Sequence, residues 1–282
     1  MVSSVSTINI NADEGTQVGI ESMQTRTRKV PVIEIFGPTI QGEGEMIGWR
    51  TMFVRFGGCD YRCKMCDSLH AVMPAAVKAN STRMNLSEIA DKLLMEKANT
   101  GVDWVTFSGG NPVMWELGEL VDELHLAGMS VAVETQGTLW KPWLKNVDML
   151  TVSPKAPGMG EKFEQDKFMA FMAEMAETDV PLCIKIPVFS QLDIEFCVGI
   201  ETILRDMVLD EGVTKYLSVG NSHPPKLKPD MTLDTSDEGV LVSTLLNDYG
   251  ILLDQYLIDR RLSGWRFTPQ LHVLIWGNKA GV

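Results

Sequence analysis

The 282-residue chain is long enough for one large domain with a sizeable core. Its 25 Lys and Arg against 37 Asp and Glu give a net charge of −12. That balance disfavours a nucleic-acid scaffold, but leaves room for small anions held by a local Arg or by backbone N–H groups. The five cysteines are odd in number and three of them cluster, which does not make a disulfide framework. With no apolar run of signal-peptide type and none of membrane-spanning length, a soluble cytoplasmic protein with reduced thiols is expected.

In chain order, residues 1–29 are polar and aperiodic and read as a flexible extension. From Val30 onward the text alternates between short apolar runs and amphipathic stretches. "TMFVRF" (51–56) predicts a strand ending at Gly57-Gly58, and "LSEIADKLLMEKA" (86–98) a helix capped by Asn85 or Ser87. "DWVTFSGG" (103–110) reads as a buried strand and "MWELGELVDELHLAG" (114–128) as a helix ending in Gly. The strand "MSVAVET" precedes a short helix around Trp140–Lys145; "DMLTVSPK" and "DKFMAFMAEMAE" repeat the alternation. "PLCIKIPV", "DIEFCVGIETILRDMV" and "TKYLSVGN" continue it, and a helix near Glu238–Leu257 and a strand near Trp265–Thr268 finish it. Strand–helix alternation implies a parallel sheet with right-handed crossovers. About six units fall short of a closed eight-fold barrel, so a partial (β/α)6-type TIM barrel is expected, residues 30–282 forming a single domain. The polar and glycine-rich punctuation falls at the C-terminal strand ends, the rim on which such architectures build their sites.

The stretch "GGCDYRCKMCDSLH" (57–70) spaces its cysteines as Cys59-x3-Cys63-x2-Cys66. Structural zinc wants four ligands, usually as two knuckles. His70 could complete a Cys3His set, but the chain offers no second knuckle. Cys183 and Cys197, in a predicted strand and helix, read as buried apolar thiols. An iron–sulfur cluster on three cysteines leaves one iron without a protein ligand, open to a small molecule.

Cys-x3-Cys-x2-Cys after a first strand resembles the radical S-adenosylmethionine (SAM) enzymes, in which SAM chelates the open iron of a [4Fe-4S] cluster. "FSGGNP" (107–112) resembles that superfamily's Gly-Gly-Glu-Pro motif, with Asn111 where many relatives have Glu. There the bare backbone of Gly109 and Gly110 is expected to face the methionyl ammonium. More narrowly, "EIFGPTIQGEGEMIGWRTMFVRFGGCDYRCKMCDS" (34–68) resembles the 7-carboxy-7-deazaguanine synthases. So do "ETQGT" (134–138), "SPK" (153–155), "VGN" (219–221) and the tail "PQLHVLIWGNKAGV". The resemblance runs from Val30 to the last residue.

It implies a radical SAM core with a docked C-terminal tail, and contraction of 6-carboxy-5,6,7,8-tetrahydropterin to 7-carboxy-7-deazaguanine with release of ammonia. Cys59, Cys63 and Cys66 would hold the cluster and Ser68 a Mg2+ ion, with Asp67 in support. Ile40, Gln41 and Gly42 would meet the pterin edge, Gly42 by its bare backbone, and Ser108 would stand nearby. Arg55, a charge set among apolar strand neighbours, would fork to the substrate carboxylate; a structural salt bridge is the other reading. His272, near Gln270, and the terminal carboxylate of Val282 would reach the substrate from the tail. Gly110, Ser153, Pro154, Lys155, Ser218, Gly220 and Asn221 would bind SAM, with Glu134 a secondary candidate. An electron donor such as flavodoxin and a homodimer are implied, but no nucleic acid or membrane partner. The rivals are another radical SAM enzyme, such as a glycyl-radical activase, which would not need the Gln41 box, Arg55 or the tail, and a zinc module using His70.

Overall fold

The computed structural model describes residues 29–209, 211–235 and 238–281. The expected extension lies outside that range except for Lys29, and so does Val282. Among the described residues nine strands form one sheet: β1 (Val30–Ile40), β2 (Arg50–Phe56), β3 (Thr82–Met84), β4 (Trp104–Gly109), β5 (Ser130–Thr135), β6 (Met149–Val152), β7 (Leu182–Val188), β8 (Val213–Val219) and β9 (Arg266–Pro269). Their order is β3-β1-β2-β4-β5-β6-β7-β8-β9. From β2 through β4 to β9 every pairing is parallel, whereas β1 pairs antiparallel with both β2 and β3. Six crossovers therefore join the parallel strands, as the sequence alternation implies, and an antiparallel flap extends one edge.

The helices are α1 (Leu69–Val72), α2 (Pro74–Asn80), α3 (Leu86–Thr100), α4 (Gly118–Leu126), α5 (Gln165–Ala176), α6 (Gln191–Asp206), α7 (Glu238–Ile258) and α8 (Leu271–Trp276). The α3 start follows its sequence signal: the Glu88 carboxylate accepts the N-cap N–H of Asn85 at 2.7 Å. Gly101, at φ 70°, ends the helix in the left-handed conformation that glycine takes without a Cβ clash. α4 begins later than its periodicity suggests because Pro112–Met114 first winds a 3-10 turn, its Asn111 side chain accepting the Val113 N–H. The short helix expected around Trp140–Lys145 is a 3-10 helix, Pro142–Asn146.

Strand alternation sorts the side chains into two sets. Phe56, Phe107, Val133, Val152, Ile184, Ile186, Leu217 and Val219 lie in one continuous core with Ile89, Leu93, Leu120 and Leu124 of the helices. Phe56 and Phe107 meet edge to face at 5.5 Å. Burying a side chain of that size contributes roughly 1.5–3 kcal/mol. The alternate positions carry Arg55, Ser108, Glu134, Thr151 and Lys185, which line the cavity described next. Register sets them side by side: Arg55 pairs with Ser108, and Glu134 with Thr151.

Candidate active site

A cavity of about 250 Å³ opens at the C-terminal ends of the parallel strands. One wall is the loop after β2, where Cys59, Cys63 and Cys66 pack with Tyr61, Met65, Met159 and Phe189. The Tyr61 N–H donates to Cys59 Sγ and the Ser68 N–H to Cys66 Sγ, each at 3.4 Å. Burial pushes all three thiols up, Cys63 to about 11 and Cys66 to about 12, against the opposing pull of Lys155 on Cys59 and Cys63. Among the described residues no three His, Cys, Asp or Glu side chains are gathered for one metal ion. His70 Nε2 lies 3.7 Å from Glu34 Oε1, and no such group joins His70 to the three thiols. Three thiols along one apolar wall suit a polynuclear cluster, whose ligands bind separate irons.

The glycines of "FSGG" have a packing reason. At Gly110 a Cβ would overlap the Gly58 carbonyl, and at Gly109 (φ 131°) the Phe56 backbone. The Gly110 N–H donates to Phe56 O at 3.1 Å and the Asn111 N–H to Gly58 O at 2.7 Å, tying the end of β4 to the cysteine loop. The space where a side chain would project is therefore filled by neighbouring backbone, although both glycines line the cavity. Asn111 is fully buried, accepts from Thr135 Oγ1 at 3.0 Å and donates to Asp60 Oδ1 at 2.9 Å.

The opposite wall is polar and densely paired. Gln41 Nε2 donates to Glu134 Oε1 at 3.0 Å and Ser108 Oγ to Glu134 Oε2 at 2.6 Å. The Gln41 side-chain Oε1 accepts the Gly42 N–H at 2.7 Å. Arg55 donates from Nε to Glu34 Oε1 at 2.7 Å and from Nη1 to Ser68 Oγ at 2.9 Å, its guanidinium lying over the Phe36 ring. The structural salt bridge thus exists, and its Arg also lines the cavity. Ser68 Oγ donates to Asp67 Oδ1 at 3.0 Å.

Two residues that sequence reasoning passed over complete this wall. Lys185, 9% exposed, meets Glu43 Oε2 at 3.0 Å, and Ser218 Oγ donates to Glu43 Oε1 at 2.9 Å. Burial alone would raise the Glu43 carboxyl, yet Lys185, His272 and Ser218 bring it down to about 2. The signal was present: Lys185 is the lone charge in "PLCIKIPV", and Glu43 stands inside the Gln-Gly-Glu-Gly box.

Ile40, Gly42, Ser153, Lys155, Gly220, Asn221 and His272 also line the cavity, whereas Pro154 and Ser218 sit behind its surface. Lys155 Nζ donates to Ser153 Oγ at 3.0 Å. At Gly42, a Cβ would overlap the His272 ring, so its bare face also seats the tail. The Leu271 N–H donates to Gly42 O at 3.0 Å, and Gln270 Oε1 accepts the Asn221 N–H at 2.7 Å. Asn221 Nδ2 donates to Asn278 Oδ1 at 2.8 Å, so its amide binds the tail. Gly277–Gly281 then line the cavity, ending beside Glu34.

The Radical SAM superfamily profile matches residues 53–158, the stretch bearing the cysteine loop and the "SGG" strand end, and defines the class of the protein. The chain is 36% identical over 255 residues to the 7-carboxy-7-deazaguanine synthase of Bacillus cereus, spanning 90% of this chain and 99% of that one. The Bacillus subtilis enzyme is likewise 36% identical, over 256 residues, with 90% and 98% covered. The chain belongs to the 7-carboxy-7-deazaguanine synthase family. The crystal structure of QueE from Escherichia coli superposes with a TM-score of 0.56 at 23% identity, over 89% of this chain and 99% of that one, a likeness of fold.

Proposed function

We propose that this chain contracts 6-carboxy-5,6,7,8-tetrahydropterin to 7-carboxy-7-deazaguanine with loss of ammonia, in deazapurine biosynthesis. The observation that carries the reading is one cavity with three thiols on its apolar wall and a preorganised set of carboxylates and cations on the other. Cys59, Cys63 and Cys66 would hold a [4Fe-4S] cluster, which with SAM bound supplies the 5′-deoxyadenosyl radical. The protein's own part is binding, orientation and shielding.

Glu134, fixed by Gln41 and Ser108, presents carboxylate oxygens to pterin N–H groups. The Arg55 fork, steadied by Glu34 and Phe36, supplies positive charge for the substrate carboxylate. Mg2+ would take Ser68 Oγ beside Asp67, hard oxygen donors that suit it. Lys155, Ser153 and Gly220 line the side assigned to SAM. Glu43 stays ionised against Lys185, fixing the charge of the cavity floor. The tail from Gln270 to Gly281 covers the reaction space and keeps water from the radical. A flavodoxin-type electron donor, a homodimeric assembly and a cytoplasmic location belong to the same reading.

The test is anaerobic reconstitution with iron and sulfide, then SAM, Mg2+, a reductant and the pterin, with mass spectrometry of the products. 7-Carboxy-7-deazaguanine is expected from the native chain and none from Cys63→Ala. Formation of 5′-deoxyadenosine without that product would overturn the substrate assignment.

A further inference from the structure

The "ETQGT" turn after β5 contributes a side chain that reaches the cysteine loop. Gln136 is 4% exposed, and its Nε2 lies 3.5 Å from Cys59 Sγ while also donating to Asp60 Oδ1. The carboxylate fixes which end of the amide faces the cysteine, because an ionised carboxylate only accepts hydrogen bonds. Asp60 is itself clamped, taking further donors from Asn111 Nδ2 and Thr138 Oγ1. Asn111 is in turn anchored by Thr135. The Gln136 amide is therefore held, not free to rotate away.

Cys59 thus receives an N–H from the Tyr61 backbone and a second from a side chain, whereas Cys66 receives the Ser68 backbone N–H. Hydrogen bonds to cluster sulfurs help set an iron–sulfur potential. An added donor stabilises the reduced, more negative state and so raises the potential. The acidic surroundings push the other way: the Asp60 carboxylate follows Cys59 directly and meets the same Gln136 amide, and the chain carries −12 overall.

We propose that Gln136 is a positioning residue that tunes the cluster through an N–H···S bond to Cys59, offsetting Asp60 and bringing the couple within reach of its reductant. The inference rests on Cys59, Cys63 and Cys66 holding a [4Fe-4S] cluster.

The test is an EPR-monitored redox titration of the reconstituted full chain, comparing the native protein, Gln136→Leu and Thr138→Val. Gln136→Leu removes the donor to sulfur while filling the space, and Thr138→Val removes a donor to Asp60 without touching Cys59. The expected result is a more negative midpoint for Gln136→Leu and a native midpoint for Thr138→Val. Equal midpoints for all three, with full cluster content, would overturn the proposal. So would an equal displacement in both variants, which would mean general loosening of the Asp60 clamp. A second measurement needs no variant: pulsed EPR of the reduced native protein carrying glutamine labelled with 15N in the side-chain amide. A weak 15N coupling is expected, and a cluster signal lacking it would sink the assignment. No cluster signal from any protein would instead overturn the reading on which the proposal rests.

Discussion

At the scale of single residues, the cavity wall opposite the cysteines is governed by paired charges. Glu43 and Lys185 form a buried pair whose members come from a loop and a central strand. Removing one partner of such a pair leaves an unpaired buried charge, which costs about 3–5 kcal/mol. Lys185→Met is therefore expected to destabilise strongly, and adding Glu43→Gln to recover part of that loss, as urea unfolding would measure. The pH dependence has a definite sign. The folded Glu43 carboxyl sits near 2, below its ordinary value of 4.5, so its ionised form is favoured by folding. Its contribution is complete above pH 4.5 and fades as the pH falls from there toward 2. Urea midpoints in that window should fall less steeply for Glu43→Gln than for the native chain; parallel curves would show that Glu43 is not the group responsible.

At the scale of elements, the parallel strands were legible because each buries alternate side chains behind an apolar stretch and stops at a polar or glycine-rich turn. "PLCIKIPV" and "TKYLSVGN" became β7 and β8 within a residue or two. The antiparallel β1 was hidden, since "VPVIEIFGPTI" is broken by a Gly-Pro step and its pairing with β2 shifts register on both sides of Glu34–Phe36. α1 and α2 were hidden too, lying in the short interval after the cysteines with a proline at the α2 start. The site was legible where a residue type announces chemistry, as the cysteines do. It was not legible where function depends on a distant partner, as with Gly42 beneath His272 or Ser218 behind Glu43. The junction of β4 with the cysteine loop gives the prediction for this scale. In Gly110→Ala the new methyl would meet the Gly58 carbonyl, and backbone cannot swing aside as a side chain can. Overpacking of this kind costs about 1–3 kcal/mol. A lower melting temperature and reduced iron content after reconstitution are expected, and unchanged values of both would refute the packing account of this glycine.

At the scale of the whole molecule, the cavity is closed by parts of the chain that are far apart in sequence. The 41–46 loop rests on β8 and β9: Tyr216 donates to Glu45 Oε2 at 2.7 Å, and Arg266 meets the same oxygen at 3.0 Å while lying over the Tyr216 ring. The tail then folds back over that loop through Leu271 and His272 and onto Asn221 after β8 through Gln270, and its last described residues reach Glu34 beside Arg55. Among the described residues the tail reaches the cluster wall through Glu34, Arg55 and Ser68, and the cysteines themselves pack with Tyr61, Met65, Met159 and Phe189. Truncation after Trp276 should therefore leave the melting temperature and iron content near native, because the residues removed line the cavity and lie outside the buried core. Product formation should nonetheless collapse, with 5′-deoxyadenosine still made, since shielding of the reaction space would be lost while the cysteine loop stayed intact. Gly42→Ala should move activity the same way, by forcing His272 off its seat. If the truncated chain kept native turnover, the tail would be packing alone; if it lost its cluster, the Glu34–Arg55–Ser68 link would make the two walls one cooperative structure.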